Sequence, residues 1–437
     1  MKKYFSKKLI LLTFLAILSV LLFLPWYFGG NQASAIDEDT YKNLKMFNEV
    51  LDMVEKNYVE EVEPKTIIQG AIKGMIKSLD PHSTFMTADM YRELQVETKG
   101  SFGGIGIVIT IQKDFLTVVS PIEDTPAFLA GVKAGDRITK INGKSTEGIT
   151  IMEAVKKLRG PKNTNVTITV MHKGSTQPED IVITRAIIKI KSVKYKIYAD
   201  IGYIRILAFQ GKTADDLKNT IQDINKKKVP LKGLILDLRN NPGGLLDQAV
   251  KVSDIFIKSG VIVSTKGRIK SVGEKYIAKD DGNEPVIPMI VLVNGGTASA
   301  AEIVSGALQD NGRAIILGTQ TFGKGSVQTV IPLKNGAALK LTTAKYYTPK
   351  GKSIQAEGII PDIVVEHIKP SDEKEPIGIS IREKDLKGHI KGINEKSKEV
   401  EDILTKKVPD DLKKDNQLKS AIDLLKSWEM FRDINKG

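Results

Sequence analysis

The sequence predicts an α+β multidomain protein, and three observations carry that prediction. The hydrophobic period changes along the chain, Gly-bounded apolar runs cluster in its second half, and 437 residues exceed one ordinary domain. Residues 36–97 follow a helical period, and residues 98–185 read as short β-branched strands between Gly turns. Residues 186–368 alternate buried strands with helices, and residues 369–437 form a charged, helix-prone tail. An apolar fraction of 41% is enough for packed cores and excludes global disorder.

Each segment has its own justification. Lys2, Lys3, Lys7 and Lys8 precede the apolar run Leu9 to Phe28, with Ala33-Ser34-Ala35 beyond it. A basic stretch, an apolar stretch and an A-x-A site describe a secretory signal. The same run is long enough to span a bilayer, so residues 1–35 fit either a cleaved signal peptide or a membrane anchor. Both readings place the rest of the chain outside the cytoplasm, secreted or membrane-anchored. In the next segment Leu44, Phe47, Leu51 and Val54 recur at three- and four-residue steps, an apolar stripe suited to its own domain or to a second copy in a homodimer. LDPHSTFM at 79–86 breaks the helices and reads as a structured loop, with His82 most simply a structural hydrogen-bonding residue. GIGIVITIQ, FLTVVSPI, DRITKING and VTITVMH then read as strands. GLILDL, PMIVLVN and AIILG read as buried strands alternating with the helices DQAVKVSDIFIKSG and SAAEIVSGALQD.

Composition removes several classes of function. Cysteine is absent, so disulfides, thiol nucleophiles and thiolate metal sites are excluded. The four histidines (His82, His172, His367, His389) contain no pair with helical zinc spacing, so no metal is expected. A net charge of +13 is scattered lysine without interleaved aromatics, which fits an anionic membrane surface better than nucleic acid.

Two Gly-rich turns carry the chemistry. Ser299 follows Gly295-Gly296 and starts a helix, where free N–H groups and the helix dipole favour an anion. Ser299-Ala-Ala-Glu302 also fits a capping box, so a cap is the plain reading of that serine. Lys324 lies between Gly323 and Gly325. GTQTFGK resembles the start of a phosphate-binding loop, but position 325 is Gly where Ser or Thr is required, and VQTV reads as strand rather than helix. The nucleotide reading therefore fails. A desolvated lysine can act as a base toward a serine, and Gln328 can hold the amine without adding charge. LDLRNNPGG at 236–244 ends a buried strand in a turn with unhindered amides; Gly243 or Gly244 beside Ala300 would make an oxyanion hole. At the start of the β-rich segment, GSFGGIG offers the amides of Phe102, Gly103, Gly104 and Ile105 beside a strand edge, a site for a terminal carboxylate.

Residues 100–185 resemble a PDZ domain, a β-sandwich or barrel-like module with helices. The stretch 44–365 is similar to the carboxy-terminal processing peptidases, tail-specific proteases with a PDZ domain beside a Ser-Lys core. LDPHSTF, LDLRNNPGG, NGGTASAAEI, GTQTFGKGSVQ, LTTAKYYTP and GIIPD carry the likeness. The resemblance implies an N-terminal helical region (36–97), a PDZ domain (98–185), an α/β protease core (186–368) and a helical C-terminal tail (369–437). It implies Ser299 as nucleophile, Lys324 as general base and Gln328 as the residue orienting it. It also implies an exported endopeptidase for substrates with apolar C-termini, acting through an acyl-enzyme without cofactor or metal. Arg159, in LRGPKNT, would link peptide occupancy to catalysis, or simply cap its helix. Against the rival reading, an inactive PDZ adaptor, stands the intact set Ser299, Lys324 and Gln328.

Overall fold

The computed structural model describes residues 38–227, 230–268, 273–368, 412 and 414–434, and the chain divides into two units, Met1–Leu79 and Asp80–Gly437. The signal or anchor expected at 1–35 and the tail from 369 to 411 lie outside the described residues. Among the described residues no helix is long and apolar enough to cross a membrane.

The first unit contains α1 (Glu38–Asn57) and α2 (Pro64–Lys77). Proline at the first position of α2 costs no hydrogen bond, because that N–H would be unpaired anyway. Lys42–Glu38 and Lys56–Asp52 pairs at i,i+4 support the polar side of α1. On its apolar stripe Leu44 and Phe47 are exposed, while Leu51 and Val54 are half-buried.

The second unit begins with β1 (Thr84–Met86) and α3 (Ala88–Lys99), which stops at Gly100 in the left-handed conformation (φ +69°). The β-rich segment runs through β2 (Ser101–Gly104), β3 (Ile107–Gln112), β4 (Phe115–Pro121), α4 (Pro126–Leu129), β5 (Arg137–Ile141) and β6 (Lys144–Ser145). It continues with α5 (Ile151–Leu158), β7 (Asn165–Met171), β8 (Glu179–Thr184) and β9 (Ala186–Lys189). A reciprocal Thr150–Glu153 capping box starts α5. The antiparallel order β3-β4-β5-β7-β8 leaves β3 at an edge, with β6 paired to β5. Leu116, Val118, Ile138, Val166 and Ile168, the inward half of a two-residue alternation, fill the interior together with Ala154 of α5. The chain reaches and leaves this sheet through a ribbon in which β2 pairs antiparallel with β9, Ser101 opposite Lys189 and Gly104 opposite Ala186.

The α/β region contains β10 (Val193–Tyr198), β11 (Ile201–Ile206), α6 (Thr213–Lys226), β12 (Gly233–Asp237), α7 (Leu246–Asp254), β13 (Val261–Gly267) and β14 (Lys275–Ile277). After these come β15 (Met289–Val293), α8 (Ala300–Asp310), β16 (Ile315–Gly318), β17 (Ser326–Pro332), β18 (Ala338–Tyr347), β19 (Ile363–Val364) and α9 (Asn416–Ile434). One sheet has the order β10-β11-β12-β15-β16-β19, parallel except for the first pair. Every residue of β12 and β15 is buried, as continuous apolar runs require when both faces are covered. One face packs on α6, α7 and α8; Leu418, Ala421, Ile422 and Leu425 of α9 cover the other. The described helix of the helix-prone tail is therefore part of the sheet's packing. A second, antiparallel sheet has the order β1-β18-β13-β14, with β17 on the other side of β18. Val327 to Val330 lie in β17, so a strand follows the Gly323–Gly325 turn, as the failed phosphate-loop match predicted.

Candidate active site

β15 ends at Val293, and the chain turns through Asn294–Ala298 before α8. Asn294 accepts from the Gly296 amide at 3.0 Å, and the Thr297 hydroxyl donates to the Leu238 carbonyl at 2.9 Å. The turn thus stands on the end of β12. Ser299 follows at φ +55°, ψ −115°, a conformation costly for any residue with a side chain. Strain at a strand-to-helix turn that presents a serine is a recurrent feature of nucleophiles.

Glu302 explains why the strain persists. It is fully buried and accepts four hydrogen bonds. Its Oε2 takes the amides of Ser299 (2.7 Å) and Lys324 (2.9 Å), and its Oε1 takes the Gly323 amide (2.7 Å) and the Thr321 hydroxyl (2.6 Å). The capping-box carboxylate expected from the sequence is therefore also the joint between the serine turn and the lysine turn.

The Pro-Gly-Gly turn closes the group. A Cβ on Gly243 (φ +97°) would lie 2.9 Å from the Ala300 nitrogen and 2.9 Å from Ser299 Cβ, so only glycine permits this approach. The Asn241 carbonyl accepts the Ala298 amide at 2.9 Å. The Gly243 amide already donates to Asn241 Oδ1 at 2.9 Å. Among the described residues the amides of Gly244 and Ala300 have no acceptor.

Lys324 is half-buried. Burial first, and the positive charge of Lys340 second, lower its pKa below the usual lysine value; Asp80 and Glu302 pull the other way. The LDPHSTF loop belongs to this neighbourhood. Burial and the charges of Lys324 and Lys340 lower the His82 pKa. Burial opposes ionisation of Asp80, but hydrogen bonds from the Ser83 hydroxyl and the His82 and Ser83 amides outweigh it and hold Asp80 below its usual range. Tyr346 was not foreseen. It is buried beside the Ser299 side chain, and burial pushes its hydroxyl up to about 12. Gln328 donates to Ser326 Oγ at 2.8 Å on β17.

The residues expected to hold a peptide terminus form a separate place. Phe102, Gly103 and Gly104 lie in β2, paired with β9, whereas Ile105 is buried in the bend before β3. The amides of Ile105 and Gly106 have no acceptor among the described residues. Beside them, between the β3 edge and α5, Ile105, Ile107, Ile109, Val155 and Leu158 line a cavity of about 60 Å³. Arg159, the residue ending α5, stacks 4.4 Å over the Phe102 ring and pairs with Glu93 of α3.

Residues 200–365 match peptidase family S41, residues 93–171 the PDZ domain, and residues 29–90 the N-terminal domain of the activating protease CtpB. A carboxy-terminal-processing protease of Bartonella bacilliformis is 50% identical over 393 residues, 89% of this chain and 90% of that protein. The chain belongs to the carboxy-terminal-processing protease family. It is a serine-type peptidase with a PDZ domain. A probable CtpA-like serine protease of Staphylococcus aureus is 37% identical over 359 residues, 82% of this chain and 72% of that protein. The solved photosystem II D1 C-terminal processing protease is 29% identical over 74% of this chain and 92% of that chain, at a TM-score of 0.43.

Proposed function

We propose that this protease is exported, recognises substrate C-termini through the β3–α5 groove and cleaves with a Ser299–Lys324 dyad. One observation carries the dyad: the buried Glu302 carboxylate holds the backbones of both residues, on a turn that Gly243 touches. Neutral Lys324 takes the Ser299 proton, and Ser299 attacks the peptide carbonyl. Because the Gly243 amide is already given to Asn241, Gly244 and Ala300 supply the donors to the oxyanion. Lys324 then gives that proton to the leaving amine as the C–N bond breaks, and the resulting acyl-enzyme is hydrolysed by water that the lysine, neutral again, activates. Gln328 orients the amine from β17, which requires it to leave Ser326. The scheme calls for no metal or organic cofactor.

The groove supports the choice of substrate end. Its aliphatic lining suits an apolar last side chain, the β3 edge accepts an added strand, and the Ile105 and Gly106 amides suit the carboxylate. These two amides extend the carboxylate loop, placed by sequence at Phe102 to Ile105, by one residue. In this reading the domains divide near residues 97, 185 and 368, and Arg159 passes occupancy of the groove to α3 through Glu93. Export rests on residues 1–35, and the exposed stripe of α1 fits self-association. The test is hydrolysis of an unfolded protein with an apolar C-terminus by wild type, Ser299→Ala and Lys324→Ala. Both variants are expected to be inactive; cleavage by either removes that residue from the mechanism. Mass spectrometry of the native N-terminus separates a cleaved signal from a retained anchor.

A further inference from the structure

At the end of β12 lies a buried ionic cluster that the mechanism above leaves unused. Asp237 is fully buried and Arg239 is 8% exposed. Arg239 donates from Nε to Asp237 Oδ1 at 3.0 Å and from Nη2 to Oδ2 at 2.7 Å. The Tyr203 hydroxyl also donates to Asp237 Oδ2, at 2.7 Å. The other side of the guanidinium meets the C-terminal segment. Nη1 and Nη2 donate to the two carboxylate oxygens of Asp415 at 2.8 and 2.7 Å, and Nη1 donates to Gln417 Oε1 at 3.0 Å. One arginine is thus clamped between a strand carboxylate and a carboxylate from the residue before α9.

Position gives the cluster its meaning. Arg239 opens the turn that ends at Gly243-Gly244, and Asn240 within it has φ +56°. Beyond Asn240 the turn is tied down through Asn241, whose side-chain amide donates to the Ile206 carbonyl and whose backbone carbonyl takes the Ala298 amide. At its start it is held by Arg239 and by Asn240, whose amide donates to Asn294 Oδ1 at 2.9 Å and whose Oδ1 accepts from Asn294 Nδ2 at 3.0 Å. Asp415 lies well beyond residues 200–365, the stretch that matches the peptidase family. The helix it precedes packs so closely that a Cβ on Gly233 would lie 2.9 Å from Leu425 Cδ1. That apolar contact already attaches α9 to the sheet. A buried ion pair adds little net stability over an apolar contact, but a bidentate pair fixes direction.

We propose that Asp415 is a positioning residue of the protease: by clamping Arg239 it sets the Arg239–Gly244 turn against the Ser299 turn, which makes the residue before the C-terminal helix, rather than the helix itself, part of the catalytic unit. The proposal rests on the oxyanion reading of Gly244 given above.

The experiment compares Asp415→Asn, Asp415→Glu, Leu425→Ala and Ser299→Ala on one peptide substrate, at a temperature where circular dichroism shows every variant folded. Asp415→Asn is expected to lose about tenfold to a hundredfold in kcat, less than or equal to the loss of one oxyanion donor, with KM within about twofold. Asp415→Glu keeps the charge and is expected to recover part of that loss. Leu425→Ala weakens the same helix by a cavity, so its Tm falls while kcat is kept. Wild-type kcat in both Asp415 variants overturns the proposal, as does a kcat loss in Leu425→Ala equal to that of Asp415→Asn. If Asp415→Asn does not fold, Asp415→Glu decides alone: reduced kcat at unchanged KM supports the proposal and wild-type kcat overturns it. Cleavage by Ser299→Ala overturns the dyad and this proposal together. An inactive Ser299→Ala beside fully active Asp415 variants removes this proposal only.

Discussion

Replacing Glu302 by Gln is the sharpest probe of the site. The carboxylate accepts four hydrogen bonds and donates none, whereas an amide accepts at one end and donates at the other. With its oxygen toward Ser299 and Lys324, the NH2 of the substituted side chain would face the Thr321 hydroxyl and the Gly323 amide. Thr321 can rotate its proton away and accept. The Gly323 N–H cannot, so it loses an acceptor at 2.7 Å and meets a donor instead. Leaving a buried donor unpaired costs about 1–3 kcal/mol, and the remaining bonds lose the strength of an ionised acceptor, so about 2–4 kcal/mol in all is expected. For the unit Asp80–Gly437 that corresponds to a Tm lower by about 3–5 °C. The catalytic loss follows from the same displacement, because Gly323 precedes Lys324: kcat should fall by about tenfold to a hundredfold. Glu302→Ala, which strips all four donors, should lose more on both counts. Thermal unfolding and single-turnover acylation by an active-site serine reagent measure the two effects. A Glu302→Gln enzyme with wild-type Tm and acylation rate would refute the idea that this carboxylate joins the two turns.

Three further outcomes follow. Because neutral lysine is the proposed base, kcat/KM should rise with pH through an ionisation below the ordinary lysine range; Lys340→Met removes a like charge and should move that limb to higher pH. The sign for stability agrees: the folded state holds the Lys324 proton less tightly than the unfolded state, so this group's contribution to stability rises with pH in that window. Gly243→Ala puts a methyl 2.8–2.9 Å from Ala298 O, Ala300 N and Ser299 Cβ at φ +97°, and kcat should drop at least a hundredfold at similar KM, measured on a short peptide. Arg159→Ala removes the contact with Phe102 and the Glu93 pair; proteolysis of a C-terminally tagged protein should change while cleavage of a short untagged peptide does not, and unchanged proteolysis of the tagged protein would sink the coupling.

Much of this arrangement was legible in the sequence because it depends on residues with few uses. Gly243, Gly296 and Gly323 mark turns where backbones meet, and apolar runs as uniform as PMIVLVN have one natural place, a strand covered on both faces. Reading VQTV as strand was enough to dismiss the phosphate loop. What stayed hidden is side-chain direction across long separations. Glu302 was visible as a capping residue, but its bond to Lys324 uses a backbone N–H, which leaves no trace in residue type. The amide of Gly243 reads as free in the sequence, yet Asn241 occupies it. Nothing in a lysine-rich tail distinguishes Asp415 from its neighbours, and Tyr346 lay within a recognised motif with its hydroxyl's direction unknown. Arg159 was read as a regulator or a surface cap; its stacking on Phe102 depends on a rotamer.

The packing of α9 also has a bearing on when this chain becomes active. Strands β11, β12, β15 and β16 are synthesised long before residues 412–425, yet Leu412, Leu418, Ala421, Ile422 and Leu425 are part of the cover on one face of their sheet. Until they arrive, a row of apolar side chains stays wet and Arg239 lacks its second carboxylate. On the proposed roles of Ser299, Lys324 and Asp415, the order of synthesis is itself a delay: the dyad leaves the ribosome before the carboxylate that would set its oxyanion turn, and a partly made chain would be poorly equipped to cut its surroundings.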